Sequence, residues 1–285
     1  METFDYQGAA VKYKRRGSGE PVVFLHNGGT SHAIWKDVIA RLADDYATFA
    51  LDLPGFGASA KPGGGYALEN YVAVLEAFLA HHGLSPVTLV GNCMGSAISV
   101  AYAMRHPEKV RALVLVNPLT AATYTAGRLG MTLRLRRRAP AFSRFLYGLL
   151  GRVKPNRWIA VQSLRMQFGP VGRSQNLHCS NDLCACFTGR GQMTSLLGVL
   201  DDLVNYEFLD NFVPPDDFPP RCTIWGLENE ILSAKAGRRL NATLQPQRAD
   251  WLKGVGHLLM LENPDEVARI IRELLAKTPR RKVHS

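Results

Sequence analysis

Apolar residues along this chain fall into short unbroken runs separated by stretches of helical spacing. Ala112 to Val116 is such a run, and Val87 to Val90 is one but for Thr88, the form expected of strands buried on both faces of a parallel sheet; Val22 to Leu25 and Ala47 to Leu51 also read as strands. Val11 to Arg15 reads as a further strand. Trp35 to Asp44, Leu68 to His82 and the small-residue stretch Ser96 to Arg105 read as helices between them. The alternation stops near residue 118. Residues 119 to about 217 carry long helical stretches and no clear strand, and they close in the turn-rich run Pro214 to Pro220. Strand and helix then alternate again: Cys222 to Trp225, Ala234 to Leu244, Ala249 to Leu252, and an amphipathic helix from Pro264 to Leu275. This pattern predicts an α/β protein. Residues 1–118 and 218–285 would form one doubly wound, mostly parallel sheet, interrupted by a helical insertion over 119–217.

The most informative run is Leu89-Val90-Gly91-Asn92-Cys93-Met94-Gly95-Ser96. An apolar strand ends at Gly91, one reactive-type side chain follows, and a helix begins at once, which is the form of a nucleophile elbow with cysteine in the place of serine. Glycine on both sides permits a turn too sharp for bulky neighbours, with the nucleophile in a strained backbone conformation. Such a turn places the sulfur at a helix N-terminus, where N–H groups and the helix dipole favour a thiolate.

Composition narrows the picture. The chain has 285 residues and an apolar fraction ample for a buried core. It has no apolar run of about 18 residues, the length that spans a membrane. Met1 to Tyr6 carries Glu2 and Asp5 and lacks the apolar core of a signal peptide. Its 5 cysteines are odd in number and scattered, which argues against a disulfide framework and points to a reducing cytoplasm. The net charge of +10 is unevenly placed. No acidic residue lies between Glu108 and Asp182, while arginines accumulate there, among them Arg134, Arg136, Arg137 and Arg138. The basicity therefore belongs to the insertion. It forms no recognisable nucleic-acid module. His178, Cys179, Cys184 and Cys186 cluster in the same segment, but the Cys184-Ala185-Cys186 spacing has no distant matching pair and fits no common zinc pattern. Neither a metal nor a cofactor is expected, and these side chains read as packing or as lining of a substrate pocket.

Five separated signals occur in order: His26-Asn27-Gly28-Gly29, Asp52-Leu53-Pro54-Gly55-Phe56-Gly57-Ala58-Ser59, the elbow at Cys93, Trp225-Gly226, and Gly256-His257 followed by Glu262-Asn263-Pro264. In these the chain resembles the α/β-hydrolase superfamily, in the branch whose helical cap is inserted after the sixth strand. The resemblance covers nearly all of the sequence outside the insertion. It implies a triad in the order nucleophile, acid, histidine, with Cys93 first and His257 last. The usual acid position, four residues after Trp225, is occupied by Asn229, with Glu228 and Glu230 beside it. Three arrangements stay open. Asn229 orients the imidazole through its side-chain carbonyl, Glu230 takes that place, or the third member is dispensable to a thiolate–imidazolium pair. For the oxyanion hole the resemblance points to the backbone N–H of Met94 and a second N–H near Gly28, with the Asn27 side chain as a further donor. Such donors contribute on the order of 3 kcal/mol each.

Cysteine as nucleophile carries a thermodynamic consequence. Moving an acyl group from a thioester to a thiol is nearly isoenergetic, whereas moving it from an ordinary ester or amide is uphill. The expected activity is acyl transfer by a thioesterase, acyltransferase or cyclase, through an acyl-Cys93 intermediate on a thioester or activated ester. The small-molecule acyl substrate could be carried on coenzyme A or an acyl carrier protein docked at Arg134, Arg136, Arg137 and Arg138. Alternatively, the Met131 to Leu150 region could lie on an anionic membrane. Two other classes stay open: lactone, ester or carbon–carbon bond hydrolysis on the same fold, and a non-catalytic ligand-binding descendant.

Overall fold

The computed structural model describes residues 1–189 and 191–279. Its strands are β1 (Glu2–Tyr6), β2 (Ala9–Arg16), β3 (Glu20–Leu25), β4 (Tyr46–Leu51), β5 (Val87–Asn92), β6 (Val110–Val116), β7 (Arg221–Gly226) and β8 (Arg248–Leu252). They form one 8-stranded sheet in the order β1-β2-β4-β3-β5-β6-β7-β8. β2 is antiparallel to both β1 and β4, and every other pairing is parallel. β1 has no counterpart in the apolar pattern, because Phe4 is its one buried residue. It forms through the turn at Gln7 and Gly8, both with positive φ (52° and 81°), which folds it back onto β2.

Helices α1 (Lys36–Leu42), α2 (Leu68–His81) and α3 (Met94–Arg105) follow β3, β4 and β5. After β6 come α4 (Ala121–Thr125), α5 (Gly130–Arg138), α6 (Pro140–Leu150), α7 (Arg157–Arg165), α8 (Pro170–Ser174), α9 (Asn181–Thr188) and α10 (Gln192–Asp202), with no strand among the described residues of this segment. Helix α11 (Ala234–Leu244) joins β7 to β8, and α12 (Leu259–Glu262) and α13 (Pro264–Lys277) end the described chain. Once β1 is counted, the helical segment follows the sixth strand, and the molecule has the α/β-hydrolase fold.

The apolar runs are explained by two cores, one on each face of the sheet. In β6, Leu113 and Leu115 face the core shared with α2 and α3, whereas Ala112, Val114 and Val116 face the core shared with α1 and α13. Side chains alternate across a strand, so a strand covered on both faces is apolar at nearly every position. The helical segment lies over the C-terminal ends of the central strands: Leu196 packs against Gly28 and Phe187 against Gly29, just after β3.

Candidate active site

Cys93 sits between β5 and α3 with φ 54° and ψ −110°, a conformation unfavourable for any residue with a Cβ. The flanking glycines explain how it is held. A Cβ on Gly91 would stand 2.2 Å from the carbonyl carbon of Gly95, and one on Gly95 would stand 2.3 Å from the carbonyl oxygen of Leu25. Backbone therefore packs on backbone, and α3 is drawn tight against β3 and β5. The Cys93 N–H donates to the carbonyl of Val116 at 2.9 Å, and the Cys93 carbonyl accepts from Ser96 and Ala97. The helix begins at Met94, two residues earlier than the small-residue pattern suggests, so Cys93 is itself the N-cap.

Burial decides the protonation state of this sulfur. Cys93 is 8% exposed, and desolvation pushes its thiol up to about 12, against the opposing pull of the Met94 N–H hydrogen bond. A helix N-terminus contributes about 1 kcal/mol to an anion there, whereas each pKa unit of desolvation costs about 1.4 kcal/mol. The expectation of a resting thiolate is thus corrected: desolvation outweighs the helix terminus, and Cys93 rests as a thiol.

His257 lies in the loop after β8 and is 1% exposed. Burial lowers its imidazole to about 3, so it is neutral across the physiological range. Its backbone N–H donates to the carbonyl of Gln167 at 2.7 Å, and its carbonyl accepts from Asn117 Nδ2 at 3.1 Å. Asn117 follows β6 with φ 42° and also accepts from the Gly226 N–H through Oδ1 at 3.0 Å. One side chain thus ties the ends of β6 and β7 to the histidine loop. Glu262, 6% exposed, accepts from Gly256 N–H through Oε2 at 2.6 Å, and from Gly169 and Gly172 through Oε1 at 2.9 Å each. Burial raises its carboxyl, opposed by these three hydrogen bonds. The sequence displays Glu262 and Asn117 in plain view, but neither spacing nor polarity marks them as positioning residues. Their signals are an Asn-Pro pair closing an apolar strand and a carboxylate just before the Asn263 helix cap.

The third position departs from expectation. Asn229 Oδ1 accepts from the backbone N–H groups of Ile231 and Leu232 at 2.9 and 3.0 Å, closing its own loop. No hydrogen bond links it to His257, whose Nδ1 is buried without a partner, as is Asn229 Nδ2. This arrangement has a local cause. An asparagine carbonyl beside free N–H groups two and three residues on forms that short-range turn before it can reach a distant ring. Glu230 does not take the place either. Burial alone would raise its carboxyl, but hydrogen bonds from Arg173 and Arg128 hold it below the usual carboxylate range.

Cys93 and His257 line one cavity of ≈ 160 Å³, with Met94 and Gly28 beside them. The Asn27 side chain, expected as an oxyanion donor, is instead fully engaged: Nδ2 donates to Gly28 O and to Gln167 Oε1, and Oδ1 accepts from Thr30 and Asn92. It shapes the loop. The remaining wall comes mostly from the helical segment, including Leu129, Met166, Phe187, Leu196 and Val199. No aspartate, glutamate, lysine or arginine is among the lining residues.

The arginine cluster divides on α5. Arg136 pairs with Asp201 and Arg137 with Glu207, whereas Arg134 and Arg138 are exposed with no ion pair among the described residues. Cys184 and Cys186 are buried, directing Sγ toward the carbonyls of His178 and Asp182 at 3.8 and 3.3 Å, and Phe187 beside them supplies cavity wall. No helix among the described residues is long and apolar enough to cross a membrane.

A family model described as the alpha/beta hydrolase fold matches residues 20–157. The haloalkane dehalogenase of Agrobacterium fabrum is 37% identical over 112 residues, which are 39% of this chain and 37% of that protein. The match thus spans well under half the length of that relative. The cis-3-alkyl-4-alkyloxetan-2-one decarboxylase of Shewanella oneidensis is 24% identical over 284 residues, covering 95% of this chain and 86% of its own. A solved structure of a thermophilic esterase from Thermogutta terrifontis aligns with a TM-score of 0.74 at 20% identity, over 96% of each chain. The family model and the relatives support the α/β-hydrolase superfamily.

Proposed function

We propose that this chain is an acyl-transfer enzyme in which Cys93 and His257 act as a pair on an uncharged, apolar thioester or activated ester. The observation that carries this reading is the cavity: a strained cysteine, a neutral histidine and the start of α3 share a space whose other walls are free of charge. Such a space suits an acyl chain and stabilises neither a carboxylate nor an ammonium group.

A thiol near 12 beside an imidazole near 3 does not ionise ahead of the reaction. In the proposed step the S–H proton passes to His257 as sulfur bonds to the substrate carbonyl carbon, and the carbonyl oxygen takes the negative charge facing Met94 N–H. Collapse breaks the bond to the leaving thiolate or alkoxide, which takes the proton back from His257. The acyl group of the Cys93 thioester then passes to water, an amine or an alcohol as the carbon–sulfur bond breaks, with His257 accepting that nucleophile's proton and returning one to the cysteine sulfur. Attack from a neutral pair demands an electrophilic carbonyl, which is why an activated donor fits better than an ordinary ester. An oxetan-2-one is a strained cyclic ester of this kind, and the Shewanella relative is named for such a compound.

The test is incubation with a panel of acyl thioesters and strained lactones, followed by intact-mass measurement. An acyl adduct on Cys93 that is absent from Cys93→Ala supports the proposal. Absence of both adduct and turnover with every donor overturns it. Turnover that survives in Cys93→Ala assigns the chemistry to another route on the same fold.

A further inference from the structure

Helix α6 turns Phe142, Phe145, Leu149 and Leu150 outward, exposed to 57%, 70%, 51% and 40%. Phe142, Phe145 and Leu149 recur at helical spacing and share one side. Ser143 and Tyr147, on another side, are buried where α6 meets α5 and α10. The outward side is therefore not a core stripe. It is an apolar face left to solvent, and Met131 at 68% and Val153 at 51% are exposed on the segments before and after it. Isolated exposed hydrophobics need no explanation, but a contiguous helical row of them marks a contact.

The charge around this face says what covers it. Arg134 and Arg138 on α5 and Arg152 and Lys154 after α6 are exposed and carry no ion pair among the described residues. No acidic residue lies between Glu108 and Asp182 to neutralise them locally. We infer that α6 and its flanking cations dock on an anionic lipid membrane, lying in the plane of the interface. Phenylalanine and leucine leave water for the acyl boundary, while the long arginine and lysine side chains reach back to headgroup phosphates. A second copy is the poorer occupant. A two-fold contact on this face would set arginines against arginines. The inference rests on the surface alone and holds whatever chemistry Cys93 performs.

The experiment is co-sedimentation of the full chain with vesicles of phosphatidylcholine alone, or with about a third phosphatidylglycerol, at low and high salt. Binding is expected to the anionic vesicles and to weaken with salt. Phe145→Ser combined with Leu149→Ser, and separately Arg134→Gln combined with Arg138→Gln, should each weaken it at least about tenfold. All four positions tolerate a polar residue, so circular dichroism should be unchanged, and Arg134→Lys with Arg138→Lys should retain binding. Failure of the wild-type chain to bind anionic vesicles at low salt overturns the inference, as does unchanged binding in either double variant. A concentration-dependent dimer lost in Phe145→Ser/Leu149→Ser, without vesicle binding, gives the face to a second copy and overturns it equally.

Discussion

Cys93 and His257 meet in one cavity, yet the two are held there by opposite means. The elbow is local: Gly91, Cys93 and Gly95 are neighbours in the chain, and backbone packing against β3 and Val116 locks the turn. The histidine loop is held from afar. Gln167, Gly169 and Gly172 belong to the helical segment, Asn117 to the end of β6, and Glu262 joins them to Gly256. A turn built by local geometry survives changes elsewhere, whereas a loop clamped by an insertion depends on how that insertion packs.

Substitutions should separate the two modes. Cys93→Ala has the largest expected effect on chemistry, lowering turnover at least about 10⁴-fold with a thermal midpoint close to wild type, read by steady-state kinetics and calorimetry. Glu262→Ala should do the reverse. It leaves three buried N–H groups without a partner, which costs about 3 kcal/mol or more, and denaturant unfolding would show the loss. If Glu262→Ala melts like wild type, the clamp is not what holds the histidine loop.

Acid sharpens the same contrast. His257 falls from 6.5 in the unfolded chain to about 3 when folded, so between these values the unfolded state binds the extra proton. Its contribution to stability is full above 6.5 and is lost as pH falls toward 3. The thermal midpoint should therefore drop on that side, and His257→Gln should make the decline shallower. A midpoint equally steep in His257→Gln would show that other groups, such as buried His26, whose imidazole burial also lowers, carry the acid dependence.

The smallest effects fall at the third position. Asn229→Ala removes the acceptor for Ile231 and Leu232 and should cost about 1 kcal/mol, with kcat/KM within a few-fold of wild type. Glu230→Ala breaks partly exposed ion pairs and should cost about 0–1 kcal/mol. A loss of kcat beyond about a hundredfold in either would restore a triad with that residue as its third member.

Much of this was legible in the chain itself. The central strands read directly because a strand covered on both faces is mostly apolar, and the elbow reads because its turn needs small residues on either side of Cys93. β1 did not read, since a strand with one buried residue leaves no periodic trace. The hydrogen bonds of Asn229 did not read for a related reason: position in a motif says where a side chain starts, while competition with nearby N–H groups decides where its carbonyl ends. Asn27 repeats the lesson, its amide engaged by Gln167, far away in sequence.

The sequence by itself determined the alternating architecture, the place of the helical insertion and the sharp turn that carries Cys93, because these follow from local spacing and residue type. Tertiary structure alone decided the protonation of Cys93 and His257, the clamp through Glu262 and Asn117, and the uncharged walls of the cavity. Those depend on which distant groups exclude water or supply hydrogen bonds, and desolvation is a property of the packed neighbourhood.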